Sequence, residues 1–130
     1  SGSNKVFFGD AQRPEVLRAA GVADAPLMIV SINDFEATER VVASAHTAFP
    51  DTPVFARGHD LSGCQALRAL GANFAVSETL EASTELARAA LVHIGADSTE
   101  VEVVLDDFRK KYYGRVNGDD GGSDSMESLR

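Results

Sequence analysis

The sequence predicts an α/β domain, a parallel sheet with helices on both faces. Short apolar runs alternate with longer stretches whose apolar residues recur at helical spacing. The intervals between runs are long enough for a helical crossover rather than a tight hairpin, which makes the pairing parallel. The run Ala25–Asn33, Ala-Pro-Leu-Met-Ile-Val-Ser-Ile-Asn, is nearly unbroken in apolar residues and reads as a central strand buried on both faces. Its polar end, Ser31 and Asn33, then falls at the carboxyl edge of the sheet, where open α/β folds place ligands.

The other elements follow in order. Lys5 to Phe8 is a short apolar run closed by Gly9-Asp10, a strand delivering a tight turn. Pro14 opens a helix, where its missing N–H is not needed, and Gly21 ends it. After the central strand, Asp34 is placed to cap a helix lined by Phe35, Val41, Val42, Ala45 and Phe49. Pro50-Asp51-Thr52-Pro53 breaks that helix, and Val54-Phe55-Ala56 forms the next strand, running into Arg57-Gly58-His59-Asp60. Leu61, Leu67 and Leu70 line a third helix closed by Gly71; Asn73 to Val76 is a fourth strand ending at Ser77-Glu78-Thr79. Leu80, Leu86, Ala87, Ala90, Leu91 and Ile94 line a fourth helix, and Asp97-Ser98 caps a last one carrying Val101, Val104, Leu105, Phe108 and Tyr112 on one face.

Four segments result. Residues 1–4 read as a tag remnant or linker, 5–96 as the α/β domain, 97–114 as the C-terminal helix and 115–130 as an acidic tail too poor in apolar residues to order. At 130 residues there is room for one core. The net charge of −8 opposes a nucleic-acid or anionic-membrane partner, both of which are held by basic patches. A single cysteine, Cys64, excludes an internal disulfide and reads as a small core residue. No apolar run approaches the roughly 20 residues of a membrane-spanning helix.

Three strands end in polar signatures on one edge: Gly9-Asp10, Ser31 to Asp34, and Arg57-Gly58-His59. Glycine and aspartate make turns in any protein, so each alone says little. Together they point to a ligand crevice, in which a strand-end arginine, Arg57, is suited to fork onto a phosphate or carboxylate. The alternative for Arg57 is a structural ion pair with Asp10, Asp34 or Asp60. His59 shares that edge, His46 lies mid-helix at the surface, and His93 sits near a helix end. No histidine has a partner at metal-ligand spacing, and no catalytic triad is present. Glu78 and Glu81 open a helix, where the dipole stabilises carboxylates in any case. The glycine-rich Gly-x-Gly-x-x-Gly of a pyrophosphate loop is not found.

In combination, Val6-Phe7-Phe8-Gly9-Asp10-Ala11 with Arg13, Val16 to Gly21, Ile32-Asn33-Asp34 with Glu36-Ala37-Thr38, Phe49-Pro50, Phe55 to Asp60, and Leu70-Gly71-Ala72 leading to Ser77–Glu81 resemble a known family. They look like the domain that regulates potassium conductance, called RCK, KTN or TrkA-N, in the version attached to Kef-type and plastid-type potassium efflux antiporters. The resemblance implies a Rossmann-like domain lacking its first βαβ unit. Lys5–Phe8 is then expected to pair directly with Ala25–Asn33, or with another chain in a strand-swapped dimer. It further implies a regulatory module rather than an enzyme. Such a module dimerises on the cytosolic or stromal face of a membrane antiporter and binds an adenine nucleotide (AMP, ATP or NAD(H)), in the Kef type also glutathione or a conjugate. Carried over by position, Gly9, Asp10 and Ala11 lie near the adenine end, Ser31, Asn33 and Asp34 in the loop over the ligand, and Arg57 and His59 near its phosphates. Kef proteins often have Ala-Arg-Ala-Arg where this chain has Ala56-Arg57-Gly58-His59, which weakens the implication of glutathione. Two other readings remain: a stand-alone α/β interaction module in which the edge residues only cap turns, and a fragment of an NAD-dependent enzyme.

Overall fold

The structure, a computed structural model, describes residues 14–118. Helix α1 (Pro14–Ala19) and a 3-10 turn (Val22–Asp24) lead into β1 (Met28–Val30). Then follow α2 (Phe35–Ala48), β2 (Val54–Gly58), α3 (Leu61–Leu70), β3 (Phe74–Ser77), α4 (Glu78–His93) and α5 (Ser98–Val116). The three strands form a parallel sheet in the order β1-β2-β3, with Met28 opposite Val54 and Gly58 opposite Ser77. The expected strand Lys5–Phe8, and with it the choice between pairing in cis and a swap, lies outside the described residues.

Helices α2 to α5 each begin where a short polar side chain satisfies the free amides of the first turn. Asp34 accepts from the Ala37 amide, Asp60 from Gly63, Ser77 from Leu80, and Asp97 from Thr99 and Glu100. The core lies on one face of the sheet, where Val30, Val54, Ala56 and Ala75 meet Val41, Val42 and Ala45 of α2 and Cys64 and Leu67 of α3. Contact there is close. A Cβ at Gly58 would lie 2.9 Å from Cys64 Sγ and 3.1 Å from its backbone nitrogen, so only glycine lets α3 approach β2 this closely.

Among the described residues β2, not the stretch Ala25–Asn33, is the middle strand. The expectation that Ala25–Asn33 is buried on both faces fails at Ile29, which is 69% exposed. Ile29, Phe55 and Phe74 stand in register across the face opposite the core, the last two with ring centroids 5.1 Å apart. An apolar run shows that both faces tolerate apolar residues; it does not show what covers them.

Two helical faces also differ from the pattern read off the sequence. In α4 the inward residues are Leu80 and Thr84, while Leu86 and Ile94 are 73% and 78% exposed. In α5 they are Val101, Leu105 and Val116, with Val104 and Phe108 more than half exposed. Both helices carry more apolar residues than one stripe needs, so periodicity alone could not select the stripe. Helix α5 also continues through Gly114 to Val116, past the composition shift, because its last turns are held by the sheet. Asn117, just after it, pairs with the backbone of Ala75 in both directions. The Ala75 amide donates to Asn117 Oδ1 at 2.9 Å, and Asn117 Nδ2 donates to the Ala75 carbonyl at 3.2 Å. The Ser77 amide donates to the Tyr113 hydroxyl at 3.1 Å. Side chains after and within α5 thus occupy the hydrogen-bonding positions that a further strand would take beside β3.

Candidate ligand-binding site

The site is built where β1, β2 and β3 run out at the carboxyl edge. Arg57 is the fourth residue of β2 and lies opposite Val76 of β3, on the face away from the core. Its side chain is 21% exposed and its guanidinium is fixed on several sides. Nε donates to Ser31 Oγ and Nη2 to Asn33 Oδ1, each at 3.0 Å, both acceptors belonging to the loop after β1. The cation lies 5.7 Å from the centroid of the Phe35 ring at the start of α2. Nη1 lies 3.4 Å from Glu78 Oε2, at the first turn of α4. The loop after β1 and the starts of two helices therefore converge on one planar cation.

Of the residues marked in the sequence, Ser31, Asn33, Arg57 and His59 come together. The His59 ring packs against Phe35 with centroids 5.4 Å apart, and its Nδ1 lies 3.6 Å from the same Glu78 Oε2. Asp34 is beside them, but its carboxylate is occupied as the cap of α2. Gly9, Asp10 and Ala11 lie outside the described residues. Of the ion-pair partners expected as the alternative for Arg57, Asp10 lies outside the described residues, and in place of Asp34 or Asp60 the structure pairs Arg57 with Glu78. Phe35 and Glu78 were not marked as site residues. Phe35 reads as one more apolar position of a helix, and Glu78 as a carboxylate favoured by the helix dipole. The only available signal was that both stand one step beyond a strand-end turn on the same edge.

The position of Glu78 is itself supported. The Thr79 amide donates to the His59 carbonyl at 3.0 Å, tying the start of α4 to the loop after β2. Ser77, fully buried, caps α4 and receives the Tyr112 hydroxyl at 2.9 Å. One turn on, Arg109 Nη2 reaches both oxygens of Glu81 at 3.0 Å, and the Tyr113 hydroxyl donates to Glu81 as well. Burial first, and the Glu81 carboxylate second, push the Tyr113 phenol far above its ordinary range, so it stays a neutral donor. Helix α5 in this way braces the first turn of α4 and, through it, Glu78.

Cys64, the single cysteine, takes no part. It is fully buried, and desolvation pushes its thiol up to about 11. No cluster of three or more potential metal ligands occurs among the described residues, nor does any helix long and apolar enough to cross a membrane.

A parallel sheet whose strands are joined through helices, with an arginine at its carboxyl edge, defines a Rossmann-like α/β domain. Within that class, the TrkA-N domain family matches residues 2–78, and the chain belongs to it. Among similar proteins, a glutathione-regulated potassium-efflux system protein of Haemophilus influenzae is 34% identical over 113 residues, which is 87% of this chain and 18% of that protein. The chloroplastic K(+) efflux antiporter 3 of Arabidopsis thaliana is 32% identical over 104 residues, 80% of this chain and 13% of that one. The chain thus spans less than a fifth of the length of these relatives. Among solved structures, the Shewanella denitrificans Kef CTD in AMP-bound form superposes with a TM-score of 0.77 at 30% identity, covering 91% of this chain and 75% of that one. The TrkA-N domain of the inner membrane protein ybaL from Escherichia coli gives 0.56 at 27% identity, over 60% of this chain and 58% of its own.

Proposed function

We propose that this chain is a ligand-sensing regulatory domain of a potassium efflux antiporter, and that it binds an adenine nucleotide (AMP, ATP or NAD(H)) at the edge built around Arg57. The observation that carries this reading is the held guanidinium. Ser31, Asn33 and Phe35 fix its plane, and only two of its five N–H donors are used in those hydrogen bonds. A preorientated, partly exposed arginine at a sheet edge is suited to a phosphate, which it meets with two parallel N–H groups. The likeness to an AMP-bound Kef domain supports the choice of adenine nucleotide.

In this reading the domain lies on the cytosolic or stromal face of a membrane, as part of a chain whose membrane domain moves the ion, and it performs no chemistry itself. Ligand binding would act by joining the loop after β1 to the start of α4 across Arg57, so that occupancy changes how these two segments sit. The reading includes a homodimer. Its support is the outer surface of α5, where Val103, Val104 and Phe108 are 65%, 62% and 56% exposed and form an apolar surface suited to a partner. Glutathione or a conjugate is a second candidate ligand for the same arginine through its carboxylates.

The test is calorimetry on the 130-residue chain and on the full-length protein, titrating AMP, ATP, NADH and glutathione. Saturable nucleotide binding that Arg57→Ala weakens at least tenfold supports the proposal. Absence of nucleotide binding by both forms rejects it in favour of a domain that acts through protein contacts alone.

A further inference from the structure

One oxygen at this site faces two nitrogen partners, an arginine and a histidine. Glu78 Oε2 lies 3.4 Å from Arg57 Nη1 and 3.6 Å from His59 Nδ1. We propose that Glu78 is a built-in competitor for Arg57, and that a protonated His59 draws it away, which links the site's affinity for an anionic ligand to pH. This rests on the reading of Arg57 as the anion-binding group.

With Nε and Nη2 turned to Ser31 and Asn33, the open corner of the guanidinium is Nη1, and Glu78 stands against it. An incoming phosphate must displace that carboxylate or share the arginine with it. The Glu78 side chain is 44% exposed, so it is free to turn into solvent at small cost. Around His59, among the described residues, there is Glu78 from α4, Arg57 beyond it from β2, and from α2 the Phe35 ring. Asp34 and Asp60, the flanking acids, are occupied with the Ala37 and Gly63 amides. With His59 neutral, Glu78 has one cation and the triad Arg57–Glu78–His59 sums to zero. With His59 protonated, the carboxylate is shared, Nη1 is released and the triad carries one positive charge. Both changes favour an anion, so binding tightens as pH falls through the histidine range, ordinarily near 6.5.

The experiment measures NAD+ binding to the full-length protein from about pH 8 to about pH 5.5. NAD+ is the probe because its phosphates, unlike the AMP monoester, hold no proton that titrates near 6. The wild type is expected to bind up to about fivefold tighter at the acid end, the scale of an exposed ion pair. His59→Gln should remain at the alkaline value throughout. Glu78→Gln should bind tighter at the alkaline end and show a flatter profile. A flat wild-type profile, a His59→Gln profile as steep as the wild type, or weaker binding by Glu78→Gln overturns the proposal. In parallel, the His59 imidazole is titrated by NMR without ligand. Its midpoint should fall in Glu78→Gln, and an unmoved midpoint overturns the shared carboxylate whatever the binding data show. Absence of NAD+ binding by every variant at every pH would reject the nucleotide reading, and the NMR midpoint would then decide the coupling alone.

Discussion

Replacing Asn117 with alanine should cost this domain a large part of its stability, although the residue lies beyond its last helix. Asn117 gives Ala75 both a donor and an acceptor, and Ala75 is fully buried. The variant leaves an amide and a carbonyl of β3 without partners, at about 1–3 kcal/mol for each buried group left unsatisfied. Because the edge of the sheet admits some water, a total of about 2–3 kcal/mol is expected. That is a fall of about 10 °C or more in melting temperature for an ordered region of this size. The Ala75 amide should also lose about 30- to 100-fold in hydrogen-exchange protection, at 1.4 kcal/mol for each tenfold. Lys111→Ala, on the exposed side of α5 with a side chain 77% exposed, is the control and should change little. The assay is urea and thermal unfolding beside exchange measured residue by residue. If Asn117→Ala matches Lys111→Ala, or if protection at Ala75 is unchanged, α5 does not hold the edge of β3.

Two further outcomes follow from the packing between β2 and α3. Gly58→Ala would set a methyl group 2.9 Å from Cys64 Sγ and 3.1 Å from the Cys64 nitrogen, an overpacking expected to cost about 1–3 kcal/mol in thermal unfolding. In a Cys64→Ala background only the sulfur contact is relieved, so a smaller penalty should remain; an undisturbed Gly58→Ala variant would contradict the close approach. The Cys64 thiol itself, held protonated up to about 11, should react with a maleimide only as fast as the domain opens. Between an unfolded thiol near 8.5 and the folded value the native state binds more protons, so stability should fall as pH rises through that window. Cys64→Ala should lack that part of the decline. Rapid labelling at pH 8 without denaturant would refute the burial argument.

Much of this architecture was legible in the residues. Asp34 and Asp97 mark two helix starts because few other side chains satisfy free amides there. The alternation of runs and helices fixes parallel pairing, and the strand-end position of Arg57 places it at the carboxyl edge of the sheet. What was not legible depends on which surface meets which. Ile29 is as apolar as Val30, yet one is exposed and the other is core. Leu86 and Phe108 satisfy helical spacing as well as the residues that turn inward. Glu78 looks like any first-turn carboxylate until the sheet brings it beside Arg57 and His59. Asn117, in a stretch of polar composition, gives no local sign that it completes a sheet edge 42 residues earlier in the chain. Local chemistry shows in a sequence; partners distant along the chain do not.

The central claim is that a preorientated Arg57 receives the phosphate of an adenine nucleotide. The most direct measurement is a two-dimensional NMR titration of the full-length soluble portion with AMP, following the Arg57 Nε–H resonance and the amides of Ser31, Asn33 and Thr79. The account expects these signals to shift together with one saturating curve, and Arg57→Lys, which keeps the charge without the fork, to weaken binding at least tenfold. If the nucleotide binds while the Arg57 resonance stays in place, or if Arg57→Lys binds as the wild type does, the phosphate is held elsewhere and the claim fails.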